Sequence, residues 1–171
     1  MDTEPAQSAI DDFIVVSEVE NGPAFAEHLF QRKYKAAAPD FPHHVVAFWK
    51  REDGAFVPAS YVHFTDCGDM YLAGGACTDG NVLRAMSDTQ RAALADYGVL
   101  MLATLRYGFA RWGPHCEAIF TACGDARALE TTPKLGFIET PVRYLLVNWM
   151  RELSEQRKSD LIDKAASFMP F

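Results

Sequence analysis

Residues that could do acid, base or nucleophilic chemistry are few in this sequence and widely spaced. Asp79 follows a strand-like apolar segment and Cys123 ends another, so each could present a reactive group at the end of a buried strand. Asp79 precedes Gly80-Asn81, a sequence that is also typical of a simple turn. No histidine stands in a register that would activate the thiol of Cys123, so a core cysteine is the favoured interpretation.

The four cysteines and five histidines do not form a metal-binding pattern. No two cysteines have the C-x-x-C spacing of common zinc sites. The adjacent histidines, His43 and His44, point to opposite faces if their segment is a strand. We therefore expect reduced, partly buried thiols and no metal.

The composition predicts one acidic, globular domain. The chain has 171 residues, of which 49% are hydrophobic, and a formal net charge of −7. At this length a core can form without disulfides, and the acidic excess argues against binding nucleic acid or an anionic membrane. The longest charge-free run, residues 54–65, is too short to span a membrane. With no apolar signal core at the amino terminus, we expect a cytoplasmic protein with a flexible tail over 1–12 and a single domain over 13–171.

Apolar periodicity and turn signals assign the first half of the chain to strands and one helix. Asp53-Gly54 is a hairpin turn signal. The paired glycines Gly74 and Gly75 predict a bulge or a close backbone approach in the strand that contains them. The predicted elements are a strand over 13–19, a helix from Pro23 that ends before Pro39, and a meander of strands over 44–50, 56–65 and 70–78.

The second half begins with a capping-box pattern, Ser87 to Gln90, which predicts a helical region as far as Trp112. Gly98 interrupts this region, so we expect either two helices or one broken helix. A terminal helix, part of the segment 153–168, carries an apolar stripe that could pack on the protein's own sheet or on a second subunit in a homodimer. The remaining predicted elements are a strand over 118–122, a helix over 125–135, and strands over 137–140 and 143–149. The terminal helix is predicted to start at residue 154.

This order of elements, together with residues 125–137, resembles the GNAT superfamily of N-acetyltransferases. The local match is Ala128 followed by Lys134-Leu135-Gly136-Phe137. The resemblance in element order covers residues 13–150. It implies an α/β (α+β) fold in which helices flank a mixed, largely antiparallel central sheet. A generic α+β sandwich without a cofactor site is the alternative fold.

The resemblance implies acetyl-CoA, or another acyl-CoA, as co-substrate. In the family, a glycine-rich loop before the central helix holds the pyrophosphate through backbone amides, which suit an anion. Here only Gly98 matches that loop, and Asp96 adds a negative charge. The positions that the resemblance assigns to the cofactor are Ala76, Cys77, Thr78, Gly98, Val99, Leu100, Met101, Asp125 and Arg127.

The resemblance also implies an amine acceptor, either a small molecule or a protein amine. The family's frequent general acid, a tyrosine, falls near Thr132, whose hydroxyl is a much weaker acid. Asp79 stands where the family often has an acidic group, and it would bind the ammonium and order a water. Two functions follow: an N-acyltransferase that uses Asp79 and Thr132, or a non-catalytic binding or regulatory module with an altered cofactor loop.

Overall fold

The computed structural model describes residues 9–40, 42–124 and 126–171. Within these residues, the seven strands are β1 (Ile14–Val19), β2 (His43–Lys50), β3 (Phe56–Asp66), β4 (Met70–Thr78), β5 (Ala118–Ala122), β6 (Ile138–Glu139) and β7 (Leu145–Trp149). The labelled helices are α1 (Gly22–Tyr34), α2 (Gly80–Ala85), α3 (Asp88–Tyr97), α4 (Met101–Trp112), α5 (Ala126–Thr131) and α6 (Glu155–Ala166). These bounds agree closely with the predicted strands.

All seven strands lie in one sheet, in the order β1-β2-β3-β4-β5-β7-β6. Every neighbouring pair is antiparallel except β4 and β5, which are parallel. A parallel pair needs a crossover connection, and the chain between β4 and β5 supplies it with three helices. The predicted mixed, largely antiparallel sheet flanked by helices is confirmed.

Helix α1 ends earlier than the position of Pro39 predicted. Asn21 caps its first turn by accepting a hydrogen bond from the Ala24 amide at 3.0 Å, and Pro23 occupies a favourable early position. Lys35 then adopts a left-handed conformation, and its amide donates to the Gln31 carbonyl. This local C-cap stops the helix four residues before Pro39.

The region after β4 contains one more helix than the sequence predicted. Asp79 caps the short helix α2, where a turn was expected. Ser87 and Gln90 form the predicted capping box at the start of α3. Gly98, with φ of 120°, ends α3 and separates it from α4, so the two-helix alternative is confirmed.

Helices cover both faces of the sheet. On one face, α2, α3 and α4 pack over β1–β4, with Leu94, Leu102 and Leu105 in the core. On the other face, α1 covers β2–β4 and α6 covers β4, β5 and β7. The candidate site lies on this second face, where Phe30 of α1 and the main chain of Phe171 border β4.

The structure describes part of the predicted N-terminal tail and all of the predicted terminal helix. Ile10, inside the expected flexible tail, is fully buried among residues of β1, β2 and α4, so this one residue of the tail belongs to the core, while Ala9, Asp11 and Asp12 are exposed. At the other end, Leu161 and Ala165 of the apolar stripe pack on the protein's own sheet. Arg157 adds ion pairs to Glu117 at 2.9 Å and Asp69 at 2.6 Å. Among the described residues, no helix is long and apolar enough to cross a membrane.

Candidate functional site

A gap in the pairing between β4 and β5 defines the centre of the site. The two parallel strands pair only from Met70–Ala118 to Ala73–Thr121. Strand β4 continues for five more residues, Gly74–Thr78, alongside β3 but without a β5 partner. An extended ligand could therefore lie against this free length of β4 and use its backbone groups.

A bulge interrupts β4 within this unpaired stretch. Its register with β3 shifts between Tyr61–Cys77 and His63–Gly74, and Gly75 has a positive φ of 61°. The predicted bulge at the paired glycines is confirmed. A bulge redirects backbone groups out of the regular ladder, which is a common way to aim an amide at a ligand.

The imidazole of His63 lies directly over this bulge. A Cβ placed on Gly75 would lie 2.6 Å from His63 Cε1, and one on Gly74 would lie 2.8 Å from His63 Nε2. The same space over Gly75 is bordered by the Phe30 ring of α1. Only glycine at both positions allows the ring to approach the strand this closely.

His63 is the exposed end of a hydrogen-bonded row of three side chains. Tyr61 Oη lies 2.8 Å from His44 Nδ1 and 3.4 Å from His63 Nδ1. Tyr61 and His44 are buried, while His63 is partly exposed. His44 itself is held against Gly22 at the start of α1, where any Cβ would overlap its ring.

Burial determines the charge of this row. It lowers the pKa of His63 to about 4, with His44 as a smaller cause. It also lowers the pKa of His44 and raises that of Tyr61. All three groups are therefore neutral at pH 7, which leaves each imidazole with one unprotonated nitrogen.

Asp79 lies at the end of β4, but its carboxylate already has partners. It accepts hydrogen bonds from Arg32 of α1 and, at 2.8 Å, from the Asn81 amide of α2. Only 6% of its side chain is exposed. This geometry gives Asp79 a clear structural role as helix cap and ion-pair partner, and its predicted catalytic role stays a prediction.

The other β4 residues assigned to the cofactor line the end of the gap. Tyr34 of α1 donates a hydrogen bond to the Ala76 carbonyl at 2.8 Å. Cys77 is buried, and burial raises the pKa of its thiol to about 12, so it is no thiolate at neutral pH. Thr78 is exposed at the strand end, with its hydroxyl 2.9 Å from that of Ser60.

The loop before α4 lies at the same end of the sheet. Leu100 and Leu102 pack in one cluster with Ala59 of β3, whose carbonyl accepts the amide of Asp79 after β4. Val99 is exposed, Met101 is partly exposed, and the Leu100 side chain is buried. Unlike α1, α2, α3 and α6, helix α4 has no side-chain N-cap, and no acidic residue lies in its first turn.

The remaining sequence-assigned residues follow β5 along the chain. Asp125 lies outside the described residues, and Arg127 is placed only as part of the backbone of α5. Thr132 is buried at the start of a 3₁₀ turn, and its carbonyl accepts the Phe137 amide at 3.4 Å. Its predicted catalytic role stays a prediction.

The last residues of the chain border the site from the α6 side. A Cβ on Gly74 would lie 2.8 Å from the carbonyl carbon of Phe171. The main chain of Phe171 and the His63 ring therefore both limit the space above Gly74. No group of three or more metal-ligating side chains is found among the described residues.

The sequence interpretation missed His63, Tyr61 and His44 as site residues. One signal for the first two was available, because residues two apart in a strand share a face and Tyr61 and His63 are two apart. Their contact with His44 and with the two glycines depends on strand register and on the bulge, which no local pattern encodes.

Comparison with solved structures identifies the architecture. No protein-family model matches the sequence, and no curated protein is significantly similar to it in sequence. The ribosomal-protein-S18-alanine N-acetyltransferase from Escherichia coli matches with a TM-score of 0.57 at 14% identity, covering 83% of this chain and 97% of that one. The spermidine/spermine N-acetyltransferase from Vibrio cholerae matches with a TM-score of 0.52 at 10% identity, covering 91% and 99%.

Identities this low establish the fold and leave the activity open. The mixed, largely antiparallel sheet flanked by helices is therefore what the fold comparison supports. The protein is a sequence-divergent representative of the GNAT fold, the fold of the N-acetyltransferases that it resembles in structure.

Proposed function

We propose that this protein is an acyl-CoA-dependent N-acyltransferase that transfers acetyl from acetyl-CoA to an amine. The observation that carries the proposal is the unpaired, bulged length of β4, Gly74–Thr78, beside the end of β5. The amide-containing pantetheine arm of CoA can pair with such a strand edge, along Ala76, Cys77 and Thr78. The redirected amides of the bulge are then available to polarise the thioester carbonyl.

The start of α4 is the proposed pyrophosphate site. A helix N-terminus attracts anions because its first amides lack intrahelical partners. Helix α4 has neither a side-chain cap nor a first-turn acidic residue to compete with a phosphate. Leu100 stands where the family loop has a second small residue. The pyrophosphate would therefore approach the start of α4 at the exposed Val99 and the partly exposed Met101.

Catalysis in this proposal comes mainly from positioning. A thioester held beside a free amine gains most of its rate from proximity and carbonyl polarisation. Asp79 and its Arg32 partner hold α1 against the end of β4, and this fixes one wall of the site. The acceptor is a small-molecule or protein amine, approaching on the side of the sheet that α1 and the last residues of the chain border.

Calorimetric titration with acetyl-CoA tests the cofactor site. Val99→Asp places a negative charge at the start of α4 on a side chain that is 41% exposed, so we expect at least tenfold weaker binding with an unchanged fold. The matched control is Val15→Asp on edge strand β1, where the side chain is 40% exposed, and its affinity should equal wild type. Equal weakening in both variants would remove the start of α4 from the site.

A non-catalytic binding module is the second candidate. It is favoured by the buried Leu100 in the phosphate loop and by the main chain of Phe171 beside Gly74. A thermal-shift series separates the two functions, because acetyl-CoA at about 100 times its dissociation constant should stabilise the enzyme by about 2.7 kcal/mol. No shift and no heat of binding up to millimolar acetyl-CoA would favour the non-catalytic module.

A further inference from the structure

We propose that His63 is the catalytic proton acceptor of this site, through Nε2, and that Tyr61 and His44 hold it in the reactive tautomer. The inference rests on the proposed acyl transfer and adds its acid–base residue. His63 is the partly exposed imidazole that lies over the β4 bulge, against Gly74 and Gly75. It therefore borders the place where the thioester carbonyl would be held.

The hydrogen bonds of Tyr61 determine which nitrogen of His63 is free. The phenol has a single proton and faces Nδ1 of both His44, at 2.8 Å, and His63, at 3.4 Å. It can donate to one of them, so the other must donate to the phenol oxygen. If Tyr61 donates to His44, then His63 carries its proton on Nδ1, and Nε2 has the free lone pair.

The lengths of the two hydrogen bonds favour this direction. Hydrogen bonds donated by a hydroxyl are usually shorter than those donated by a nitrogen, so the 2.8 Å bond to His44 suits the phenol as donor and the 3.4 Å bond suits His63 Nδ1 as donor. In this arrangement His44 carries its proton on Nε2, which makes no hydrogen bond among the described residues. A proton on Nε2 leaves His44 Nδ1 as the acceptor of the short 2.8 Å bond from Tyr61. The row therefore runs His63 Nδ1–H to Tyr61 Oη–H to His44 Nδ1.

In the proposed step, His63 alone carries the proton from the amine to the leaving thiolate. The amine attacks in its neutral form, its nitrogen forms a bond to the thioester carbon, and its departing proton passes to His63 Nε2. The C–S bond breaks with its electron pair on sulfur, and the same proton passes from His63 to the CoA thiolate. Tyr61 stabilises the transient imidazolium by accepting from Nδ1–H, so Tyr61 and His44 are positioning residues.

The groups around His63 suit a neutral acceptor. They are the Phe30 ring of α1, the glycine backbone of β4, the main chain of Phe171, the Tyr61 phenol and, through it, His44. No carboxylate appears among the causes of its pKa shift, and burial keeps the pKa low. Nε2 is therefore unprotonated throughout the neutral range, and, as a weak base, it takes the proton from the cationic nitrogen formed after attack and not from a free ammonium ion.

Nitrogen NMR of the wild-type imidazoles tests the tautomer without requiring any turnover. We expect the His63 spectrum at pH 7 to show a protonated Nδ1 and an unprotonated Nε2. Tyr61→Phe should abolish this preference, while His28→Ala on the exposed side of α1 should leave it unchanged. A protonated Nε2 in wild-type His63 would overturn the inference and leave the proposed function untouched.

Kinetics test the proton transfer itself. With a panel of amines and release of CoA thiol as the readout, His63→Ala should lower kcat about 10²-fold and leave the affinity for acetyl-CoA within about twofold. Added imidazoles should restore part of the rate, in increasing order of their pKa, which the filling of a cavity alone would not produce. His63→Gln, which fills more of the space, should show the same loss, and His28→Ala should keep wild-type kcat.

Each result is decisive. Wild-type turnover with kcat of His63→Ala within threefold of normal would overturn the role of His63 and retain the acyltransferase. Rescue that does not depend on the pKa of the added imidazole would reduce His63 to a packing residue. Wild-type protein that does not bind acetyl-CoA would overturn the proposed function, and the role of His63 with it.

Discussion

His63 and Gly75 are in such close contact that neither can change without disturbing the other. A Cβ on Gly75 would lie 2.6 Å from His63 Cε1 and 2.7 Å from His63 Nδ1. The positive φ of Gly75 belongs to the bulge that brings the two residues together. The proposed proton acceptor and the proposed carbonyl-binding strand are thus one packed unit.

Gly75→Ala should therefore lower both stability and activity. An alanine would be strained at φ of 61° and would clash with His63 and Phe30, which together should lower the free energy of unfolding by about 1–3 kcal/mol. Urea unfolding measures this change. Gly124→Ala is the stability control, because its Cβ would meet nothing within 4 Å and its φ is ordinary. Equal effects of the two substitutions would contradict the described bulge.

Stability should fall in mild acid because of His63. Its pKa is about 4 in the folded protein, against an ordinary value of 6.5, so the unfolded chain binds more protons than the folded one between these values. The contribution of His63 to the free energy of unfolding is therefore fully present above pH 6.5. It is lost as the pH falls to about 4, and the loss is at most about 3 kcal/mol.

Urea titrations at several pH values check this sign. His63→Gln should flatten the decline, whereas His28→Gln, on an exposed side chain, should retain it. A decline of wild-type steepness in His63→Gln would show that other groups, such as His44, are responsible.

Asp79 can be tested as a base separately from its structural role. Asparagine caps helices about as well as aspartate, so Asp79→Asn keeps the cap of α2 and removes the charge that pairs with Arg32. Asp79→Ala, which also loses the cap, should be less stable than Asp79→Asn by about 1 kcal/mol.

The catalytic rates of the Asp79 variants test the hypothesis that Asp79 acts in catalysis. Catalysis by the Asp79 carboxylate predicts a loss of about 10²-fold in Asp79→Asn. Arg32→Gln is the matched variant, since it keeps the carboxylate and removes its cationic partner. A loss of less than tenfold in Asp79→Asn, measured by thiol release, would leave Asp79 as a structural residue.

Helix α6 should contribute strongly to stability through Leu161. This side chain is 1% exposed and packs among Leu72, Phe120 and Leu145, so Leu161→Ala should cost about 2–4 kcal/mol in cavity and transfer free energy. Phe168→Ala is the control, at a side chain that is 47% exposed. Deletion of 153–171 should lower the melting temperature further, and sedimentation of the same variants tests for a dimer. Unchanged melting of Leu161→Ala would contradict the packing of α6.

The sequence by itself determined most of the secondary structure, because the signals are local. Turn residues, capping residues and apolar periodicity act within a few positions, and they placed the strands and the break at Gly98. Local chemistry also explains the two main differences: the left-handed Lys35 ends α1 early, and Asp79 starts a helix where a turn was predicted. The paired glycines Gly74 and Gly75 similarly predicted the bulge, although not the pairing register of β4 with β3.

Only the tertiary structure decided which residues meet at the bulge. His44, Tyr61 and His63 come from two strands, and their contact depends on the β2–β3 register and on the one-residue shift between β3 and β4. A shift of a single residue would turn each side chain to the opposite face. The sequence contains the imidazoles and the phenol, but long-range pairing of strands is what aligns them over Gly74 and Gly75 and makes them a candidate site.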